Sequence, residues 1–458
     1  MERMYYCKVN GEFVAPPEPS VDVHARLKHF KYALLRKFGN HPTKLAPEEF
    51  VSRFRGRKLA IYTNALEEYY DEGVQRKHSV SAAFVKCEKV NPTKAPRCIQ
   101  PRHPVYNIGV GMYLKHIEHR LYKAVSKVFG EDHVIMKGYN VEEIGAIVAD
   151  KWESFADPIG IGLDAVKFDM HVSVPALRYE HSFYEALFPG NKELRWLLKM
   201  QLRNKGVARA LDGTVKFSME GTRCSGDLNT SLGNCLIMCG LVWAYAKERG
   251  VELELANNGD DCVVFMEACD EARFKEGLSN WFVSKGFAMT VEPTVDELEH
   301  VEFCQSKPVQ LSTGWRMVRN LSACLNKDPM CLLSVPNDKV YRKWLAAIGM
   351  CGSRLTAGVP VLSEFYDVFS RAGTTCSDGM LQEVFKNRSQ LHLAQGLRSG
   401  SVDARSRVSF YYAFGVLPDY QIAMERFYHQ ASVGPMESTV IDREWLVVSP
   451  GFNIVTAV

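Results

Sequence analysis

The feature of this chain that most limits its fold is a pair of adjacent carboxylates inside a short β-prone segment. Residues 253–256 (LELA) and 262–265 (CVVF) flank the run NNGDD, which ends in Asp260 and Asp261. A glycine between two such stretches predicts a hairpin with both acids at its turn. An Asx-rich turn is usually only a turn. Few structures need two acids side by side there, however, and holding a divalent metal is one of them.

A second acidic segment lies upstream, at residues 161–169 (IGLDAVKFD). Its apolar run ends at Asp164, and Asp169 follows five positions later. If Asp164 closes a strand beside the hairpin, its carboxylate meets Asp260 and Asp261. Mg²⁺ prefers oxygen ligands, so three carboxylates from two strands suit two such ions. Asp169 falls where the chain leaves the strand, and we do not expect it to be mainly a metal ligand.

A third segment, residues 225–234 (SGDLNTSLGN), predicts a loop at Ser225 followed by a helix. Thr230 and Asn234 are four positions apart and therefore share one helix face. The apolar stretch 236–246 behind them fits a helix buried against a sheet. The alternative is an ordinary capped core helix with incidental polar residues. A buried hydroxyl and amide require a partner, however, and a nucleotide sugar is a suitable one.

The order of these segments, D-x₄-D, SG-x₃-T-x₃-N and GDD, resembles palm motifs A, B and C of viral RNA-dependent RNA polymerases. Details such as NNGDD and EFCQ at 302–305 are most similar to the tombusvirus and carmovirus group of plus-strand plant viruses, including umbravirus-like relatives. The resemblance covers about Phe84 to Lys307. It implies an α+β right-hand polymerase with an antiparallel palm sheet. It also implies that Asp164, Asp260 and Asp261 are catalytic and bind Mg²⁺, with Mn²⁺ as an alternative.

A basic segment upstream, residues 84–102, resembles motif F of the polymerase fingers. It clusters Lys and Arg with only Glu88 to offset them, which suits an anionic triphosphate. The alternative is a solvated basic loop. The 2′-hydroxyl is what separates RNA from DNA, and in the family motifs A and B read it. The resemblance assigns nucleotide contacts to Lys86, Arg97, Asp169, Ser225, Thr230 and Asn234.

The net charge of the chain is only +3, so positive charge that binds RNA must be localised. Residues 53–58 (RFRGRK) interleave Phe54 with cations, a pattern that suits single-stranded RNA through base stacking and phosphate contact. The alternative is an exposed basic turn. Our candidates for RNA contact are Arg53, Arg55, Lys89 and Lys94.

The resemblance divides the chain into the subdomains of a polymerase hand. We expect an N-terminal segment and fingers over 1–158, palm over 159–184, a fingers insertion over 185–221, palm again over 222–312, and thumb with a C-terminal tail over 313–458. Local patterns predict helices near 23–38, 47–55, 111–128, 338–350 and 360–370, an amphipathic helix from about 270, a hairpin over 205–215, and a β-turn at 303–305.

The general acid that protonates the pyrophosphate is not assigned. Some relatives carry a lysine just beyond the motif D strand, but residues 292–296 (EPTVD) have none. Lys285 lies nearby in sequence but is offset. We expect it to be a surface residue near a helix end.

The thirteen cysteines show no Cys-x₂-Cys pair, which favours a reducing compartment over a zinc site. No stretch of eighteen apolar residues predicts a membrane span. The resemblance implies single-stranded RNA template, nascent RNA and nucleoside triphosphates as partners, with a separate membrane-anchored viral replication protein and host factors. It implies a location in the host cytoplasm, in membrane-associated replication complexes. Two other functions stay open, a reverse transcriptase and a non-enzymatic RNA-binding protein.

Overall fold

The chain combines helices with mainly antiparallel sheets. A computed structural model describes residues 4–86, 88, 95–210, 212–331, 335, 337–376, 394–434 and 454–456. The chain divides into two compact units. Unit 1 contains residues 1–86, 91–135 and 162–293, and unit 2 contains residues 87–90, 136–161 and 294–458.

Unit 1 contains eleven of the described α-helices. They are α1 (Val23–Phe38), α2 (Pro47–Val51), α3 (Gly56–Glu72), α4 (Pro104–Leu114), α5 (Glu118–Phe129), α7 (Phe168–His171), α8 (Val174–Leu187), α9 (Lys192–Lys199), α10 (Thr230–Arg249), α11 (Glu271–Lys275) and α12 (Leu278–Val283). Helix α1 shows why such segments fold locally. The side chain of Asp22 accepts a hydrogen bond from the backbone of Ala25 at its start, and Gly39 ends it at a φ of 86°.

A four-stranded antiparallel sheet, the central sheet, has the strand order β10-β5-β9-β8. Its strands are β5 (Pro158–Ala165), β8 (Glu254–Asn258), β9 (Asp261–Glu267) and β10 (Met289–Val291).

Helix α10 has fourteen buried residues along its twenty. A helix that is apolar nearly all round must be surrounded by protein, as expected for a core element.

A second four-stranded sheet of unit 1 has the order β4-β3-β6-β7. It comprises β3 (Ser81–Val85), β4 (Cys98–Ile99), β6 (Arg203–Ala210) and β7 (Gly213–Glu220), and β3 runs parallel to β6. A separate ribbon near the N-terminus pairs β1 (Cys7–Val9) with β2 (Glu12–Val14). The second sheet carries residues of the predicted motif F, at the ends of β3 and β4.

Unit 2 is mostly helical. It holds α6 (Val141–Glu153), α13 (Leu321–Lys327), α14 (Asp338–Thr356), α15 (Leu362–Ala372), α16 (Ala404–Phe414) and α17 (Pro418–Gln430), with the strand pairs β11 (Ser306–Leu311) with β12 (Gly314–Arg319) and β13 (Ala431–Val433) with β14 (Ile454–Thr456). Its core includes Trp344, Leu345 and Phe365, all nearly inaccessible to solvent. Among the described residues, no helix combines the length and the apolarity needed to cross a bilayer.

Most local predictions are confirmed. Helices form over 23–38, 47–51, 338–356 and 362–372, and the predicted hairpin forms between β6 and β7. A tight turn joins Phe303 to Ser306, with the non-glycine residues Cys304 and Gln305 at φ of 53° and 59°. Two predictions needed correction. The region 111–128 is two helices, α4 and α5, and the helix expected from about 270 is broken at Gly277, whose φ is 67°.

Candidate active site

The predicted hairpin at the two adjacent acids is present. Strands β8 and β9 are joined through Gly259 and Asp260, and Asn258 pairs with Asp261. Gly259 has a φ of 93°, which a glycine adopts without strain, as the first central residue of a II′ turn requires. The turn therefore carries Asp260 at its tip, where it is exposed, and Asp261 at the first position of β9.

Asn257 fixes this turn. Its buried side-chain amide donates to the carbonyl of Gly259 at 2.8 Å and accepts from the Gly259 backbone at 3.1 Å. The Asn257 backbone donates in turn to the carbonyl of Val134 at 2.8 Å. Both sides of the amide are used, so the hairpin tip has a defined shape before any ligand is present.

Asp164 lies on β5, between β10 and β9 in the central sheet. It stands opposite Thr290 and is exposed, whereas its neighbours Leu163 and Ala165 point into the core. The thiol of Cys262 lies within electrostatic reach of all three acids. Its pKa is raised well above the usual value, first by burial and then by the charges of Asp261, Asp260 and Asp164. We call Asp164, Asp260 and Asp261 the acidic face.

A fourth carboxylate, Glu292, lies against the same strand. Its backbone donates to the carbonyl of Gly162 at 2.9 Å, and a methyl group at Gly162 would lie 2.0 Å from its side-chain oxygen. Gly162 and Asp164 are two apart and share one face of β5. The glycine makes room for Glu292 beside Asp164. Glu292 was not predicted as a site residue, because a Glu following a short strand carries no signal of its own.

Asp169 has a different environment from the acidic face. It lies on the short helix α7, which follows Lys167 at a φ of 48°, and it accepts a hydrogen bond from the Asn234 amide nitrogen at 2.9 Å. Burial raises the pKa of Asp169 to about 6. The hydrogen bond from Asn234 and the charge of Arg223 lower the pKa, but they offset only part of the effect of burial. The chain thus leaves the strand before Asp169, as predicted.

The third predicted segment forms a loop and the start of α10. The Ser225 hydroxyl donates to the carbonyl of Cys98 at 3.3 Å, and the Thr230 hydroxyl donates to the carbonyl of Cys224 at 2.8 Å. Thr230 therefore stabilises the loop that precedes α10. Asn234, one helical turn later, donates its hydrogen bond to Asp169. Cys235 and Cys239 on this helix are buried, as expected for ordinary core thiols.

A cavity of about 200 Å³ brings several of these residues together. Its walls include residues from four separate segments: Lys86, Arg97, Lys167, Asp169, Arg223, Ser225 and Asp260. The Lys86 backbone donates to the carbonyl of Arg97 at 2.8 Å, so the ends of β3 and β4 hold the two predicted triphosphate contacts side by side. Lys167 and Arg223 are two further cations of this cavity that were not predicted as site residues.

The basic segment and the Ser225 loop touch at three successive points. Beside the Ser225–Cys98 bond, Gly226 forms a bridge with Pro101, and a methyl group at Gly226 would lie 2.5 Å from the Pro101 backbone. Arg102, which is buried, forms an ion pair with Asp227. We call this contact the loop junction.

Of the four predicted RNA-contact residues, the structure describes Arg53 and Arg55. Arg53 and Arg55 are exposed between α2 and α3. Phe54 is half-buried, and its ring packs against Tyr62 and Phe50 at centroid distances of 4.6 and 5.0 Å. Part of the ring therefore belongs to the local core, and its use for base stacking stays a prediction. Lys89 and Lys94 lie outside the described residues.

Lys285 also differs from its prediction. It is not a surface residue, since only 4% of it is exposed, and its ammonium lies 3.5 Å from the ring centroid of Trp281. Burial lowers its pKa to about 8. The Trp281 ring, one helical turn earlier, lies against the lysine ammonium, a contact that the position after a helix end does not reveal.

A separate group, Glu68, His78 and His103, has the composition of a metal site, with ligand atoms within 4.8 Å of one another. Hydrogen bonds argue against that use. The Nδ1 atoms of His78 and His103 accept from the backbones of Gln75 and Val105 at 3.0 and 3.4 Å. The ring hydrogens then lie on Nε2, which faces Glu68 in both cases. We interpret the group as a structural cluster.

Comparison with known proteins identifies the family. The family model described as viral RNA dependent RNA polymerase matches residues 1–434. The chain belongs to the viral RNA-dependent RNA polymerase family. It is 41% identical over 436 residues to the RNA-directed RNA polymerase of Cucumber necrosis virus, a match that covers 93% of this chain and 52% of that protein. The corresponding polymerase of Tomato bushy stunt virus (strain Cherry) is 42% identical over 431 residues, covering 93% and 52%.

The polymerase of Turnip crinkle virus is 42% identical over 438 residues, which is 93% of this chain and 56% of that protein. The predicted relationship to tombusviruses and carmoviruses is confirmed by these matches together with that to Carnation mottle virus. The chain spans about half the length of the curated relatives that it matches.

Proposed function

We propose that this chain is an RNA-dependent RNA polymerase that replicates a plus-strand viral genome by two-metal-ion nucleotidyl transfer. One observation carries the proposal: basic residues, a loop serine and two aspartates from four segments line a single cavity. The membership of the family supports it. We infer a right-hand arrangement, with palm segments 159–184 and 222–312, fingers segments 1–158 and 185–221, and a thumb with C-terminal tail over 313–458.

The acidic face fits a pair of Mg²⁺ or Mn²⁺ ions. Its donors are all carboxylate oxygens, the hard ligands that these ions prefer, and Asp164 and Asp260 are open to solvent. When bound, such ions lower the pKa of the attacking 3′-hydroxyl and neutralise charge on the leaving pyrophosphate. Asp164, Asp260 and Asp261 would hold them.

Other residues bind and orient the substrates. Arg97 and Lys86 contact the triphosphate, Arg as a bidentate donor and Lys as a point charge. Asp169 and Asn234 read the ribose 2′-hydroxyl, with Thr230 bracing the loop beneath them and Ser225 closing the site. Arg53, Arg55, Lys89 and Lys94 are our proposed contacts for template and nascent RNA. No residue is proposed as the general acid.

A template-extension assay tests the function. With a primed single-stranded RNA, we expect incorporation of labelled nucleoside triphosphates that requires the template and a divalent cation, and that stops when EDTA removes the cation. Efficient use of deoxynucleotides instead would identify a reverse transcriptase. RNA binding without any release of pyrophosphate would identify a non-enzymatic RNA-binding protein. Either result would reject the proposal.

We further propose that the chain works in the host cytoplasm, in membrane-associated replication complexes with a separate membrane-anchored viral replication protein and host factors. The support is the family resemblance. Fractionation of infected tissue tests this location, and recovery of the chain only in fractions without membranes or replication products would contradict it.

A further inference from the structure

A buried arginine lies directly behind the residues that we propose to read the ribose. The side chain of Arg223 has no exposed surface, and neither does that of its ion-pair partner, Glu180 on α8. The Arg223 Nε donates to the side-chain oxygen of Asn234 at 3.0 Å, and its backbone donates to the carbonyl of Asp169 at 2.7 Å. We call Glu180, Arg223, Asn234 and Asp169 the Arg223 network.

Arg223 decides which way the Asn234 amide faces. A guanidinium only donates hydrogen bonds, so the Asn234 oxygen must turn towards it. The amide nitrogen then points at Asp169, to which it donates at 2.9 Å. One oxygen of Asp169 is thereby engaged, and the carboxylate is presented to the cavity as an acceptor. A 2′-hydroxyl can donate to that acceptor, whereas a 2′-deoxyribose has nothing to donate.

Glu180 holds Arg223 in place and is itself fully engaged. Its carboxylate also accepts from the Tyr184 hydroxyl at 2.8 Å and from the Asn229 amide at 2.7 Å. Burial would raise the pKa of Glu180, but the charge of Arg223 and these bonds hold it below its usual value. The carboxylate therefore stays ionised, and the arginine has a fixed anchor.

The neighbouring helix is shaped around this pair. A methyl group at Gly233 would lie 2.3 Å from a Glu180 oxygen and 2.6 Å from an Arg223 nitrogen. Glycine in a helix interior is less favourable than alanine, so this position gives up helix stability to admit the pair. A buried ion pair is weak evidence of stabilisation, and Arg223 Nη1 has no hydrogen-bond partner among the described residues. Positioning explains the arrangement better than stability does.

We propose that Arg223, anchored by Glu180, is a positioning residue for ribose selection, which fixes the Asn234 amide so that Asp169 accepts the 2′-hydroxyl. The inference rests on the proposed polymerase function. Arg223 and Glu180 do not contact the sugar themselves, and they act on it through Asn234 and Asp169.

The test compares use of a nucleoside triphosphate with that of its 2′-deoxy analogue, as the ratio of kcat/KM values for single-nucleotide addition. Arg223→Lys keeps the charge but loses the planar donor that faces Asn234. We expect the ratio to fall about tenfold, the scale of one charge-assisted hydrogen bond. In an Asn234→Ala background the same change should alter the ratio less than about twofold, because the link to Asp169 is already cut.

Arg316→Lys is the matched control. Arg316 is also fully buried and paired with a carboxylate, Glu142, but it lies in unit 2, and its other donors reach backbone carbonyls, including that of Ala357 at 2.8 Å. We expect its ratio to equal that of the unmodified chain. If Arg223→Lys lowers use of both nucleotides equally, the role is structural and the proposal is overturned, while the polymerase assignment stands.

Thermal melts show whether each variant folds. Should Arg223→Lys fail to fold, Glu180→Gln retains the shape and one acceptor, and we expect it to lower the ratio about threefold through a looser arginine. An unchanged ratio in folded Glu180→Gln would equally overturn the proposal. Absence of templated incorporation by the unmodified chain would overturn the proposed function, and this inference with it.

Discussion

Asp164 and Asp169 are five residues apart and belong to opposite kinds of site. The acidic face is solvent-accessible at Asp164 and Asp260, on a strand and at a hairpin tip. In the Arg223 network Glu180, Arg223 and Asn234 are buried, Asp169 is half-buried, and each member is hydrogen-bonded to another. The difference fits the roles that we propose for the two regions. Carboxylates proposed to exchange metal ligands must be reachable from solvent, whereas groups proposed to recognise a sugar must be held rigid before it arrives.

The largest expected effect comes from the acidic face. Asp260→Ala should lower primer extension by roughly a thousandfold or more, because it removes a proposed metal ligand. RNA binding should change less than about twofold, since capture of RNA depends on separate cationic groups. Parallel extension and filter-binding measurements check both. Asp212→Ala, at the turn of another hairpin, is the control, and near-normal extension by Asp260→Ala would refute the metal assignment.

A smaller effect is expected from the network. Asn234→Ala should reduce the preference for ribonucleotides about tenfold, because Asp169 loses the donor that orients it. Competition between a ribonucleotide and its deoxy analogue on one template measures this preference. Unchanged selectivity would mean that the 2′-hydroxyl is read elsewhere, and the contrast between the two regions would then lose its functional meaning.

Substitutions of Asp169 and Asp164 should have different effects on the free energy of unfolding at neutral pH. Burial raises the pKa of Asp169 to about 6, with Asn234, Arg223, Asp260 and Asp227 as its charged or polar neighbours. The folded state then binds more protons than the unfolded state between pH 4 and 6, so this group's contribution to stability falls as pH rises through that window. Asp169→Asn should therefore raise the free energy of unfolding by about 1 kcal/mol at pH 7.5 in EDTA.

That gain should disappear near pH 4, where Asp169 is itself neutral. Asp164→Asn is the matched comparison. Because Asp164 is exposed, its variant should stay within about 0.5 kcal/mol of the unmodified chain. Urea denaturation at both pH values distinguishes the two, and equal effects of the two substitutions would show that burial does not set them apart.

The smallest expected effect is stabilisation by the cation alone. Mg²⁺ at about twice its dissociation constant should stabilise the folded chain by about 0.6 kcal/mol, because it binds the native state only. The gain should vanish in Asp260→Ala and persist in Asn234→Ala. A melting temperature that rises equally in all three proteins would point to general ionic effects instead of a site.

The sequence could predict the elements whose signals are local. The NNGDD hairpin, the α10 helix and the position of Asp169 beyond a strand follow from turn chemistry and periodicity. The Arg223 network could not be predicted, because Glu180 and Arg223 are 43 positions apart and neither position has a periodic signal. The burial of Lys285 was missed for a similar reason, since it depends on an aromatic neighbour whose direction only the fold sets.

The loop junction has a consequence for how such a chain can change over time. Ser225, Gly226 and Asp227 each touch the segment from Cys98 to Arg102, with backbone against backbone at Gly226. A substitution on either side of the contact requires a compensating substitution on the other side. The sequences of these two stretches should therefore co-vary. Screening of random libraries should accordingly recover viable changes here mainly as pairs.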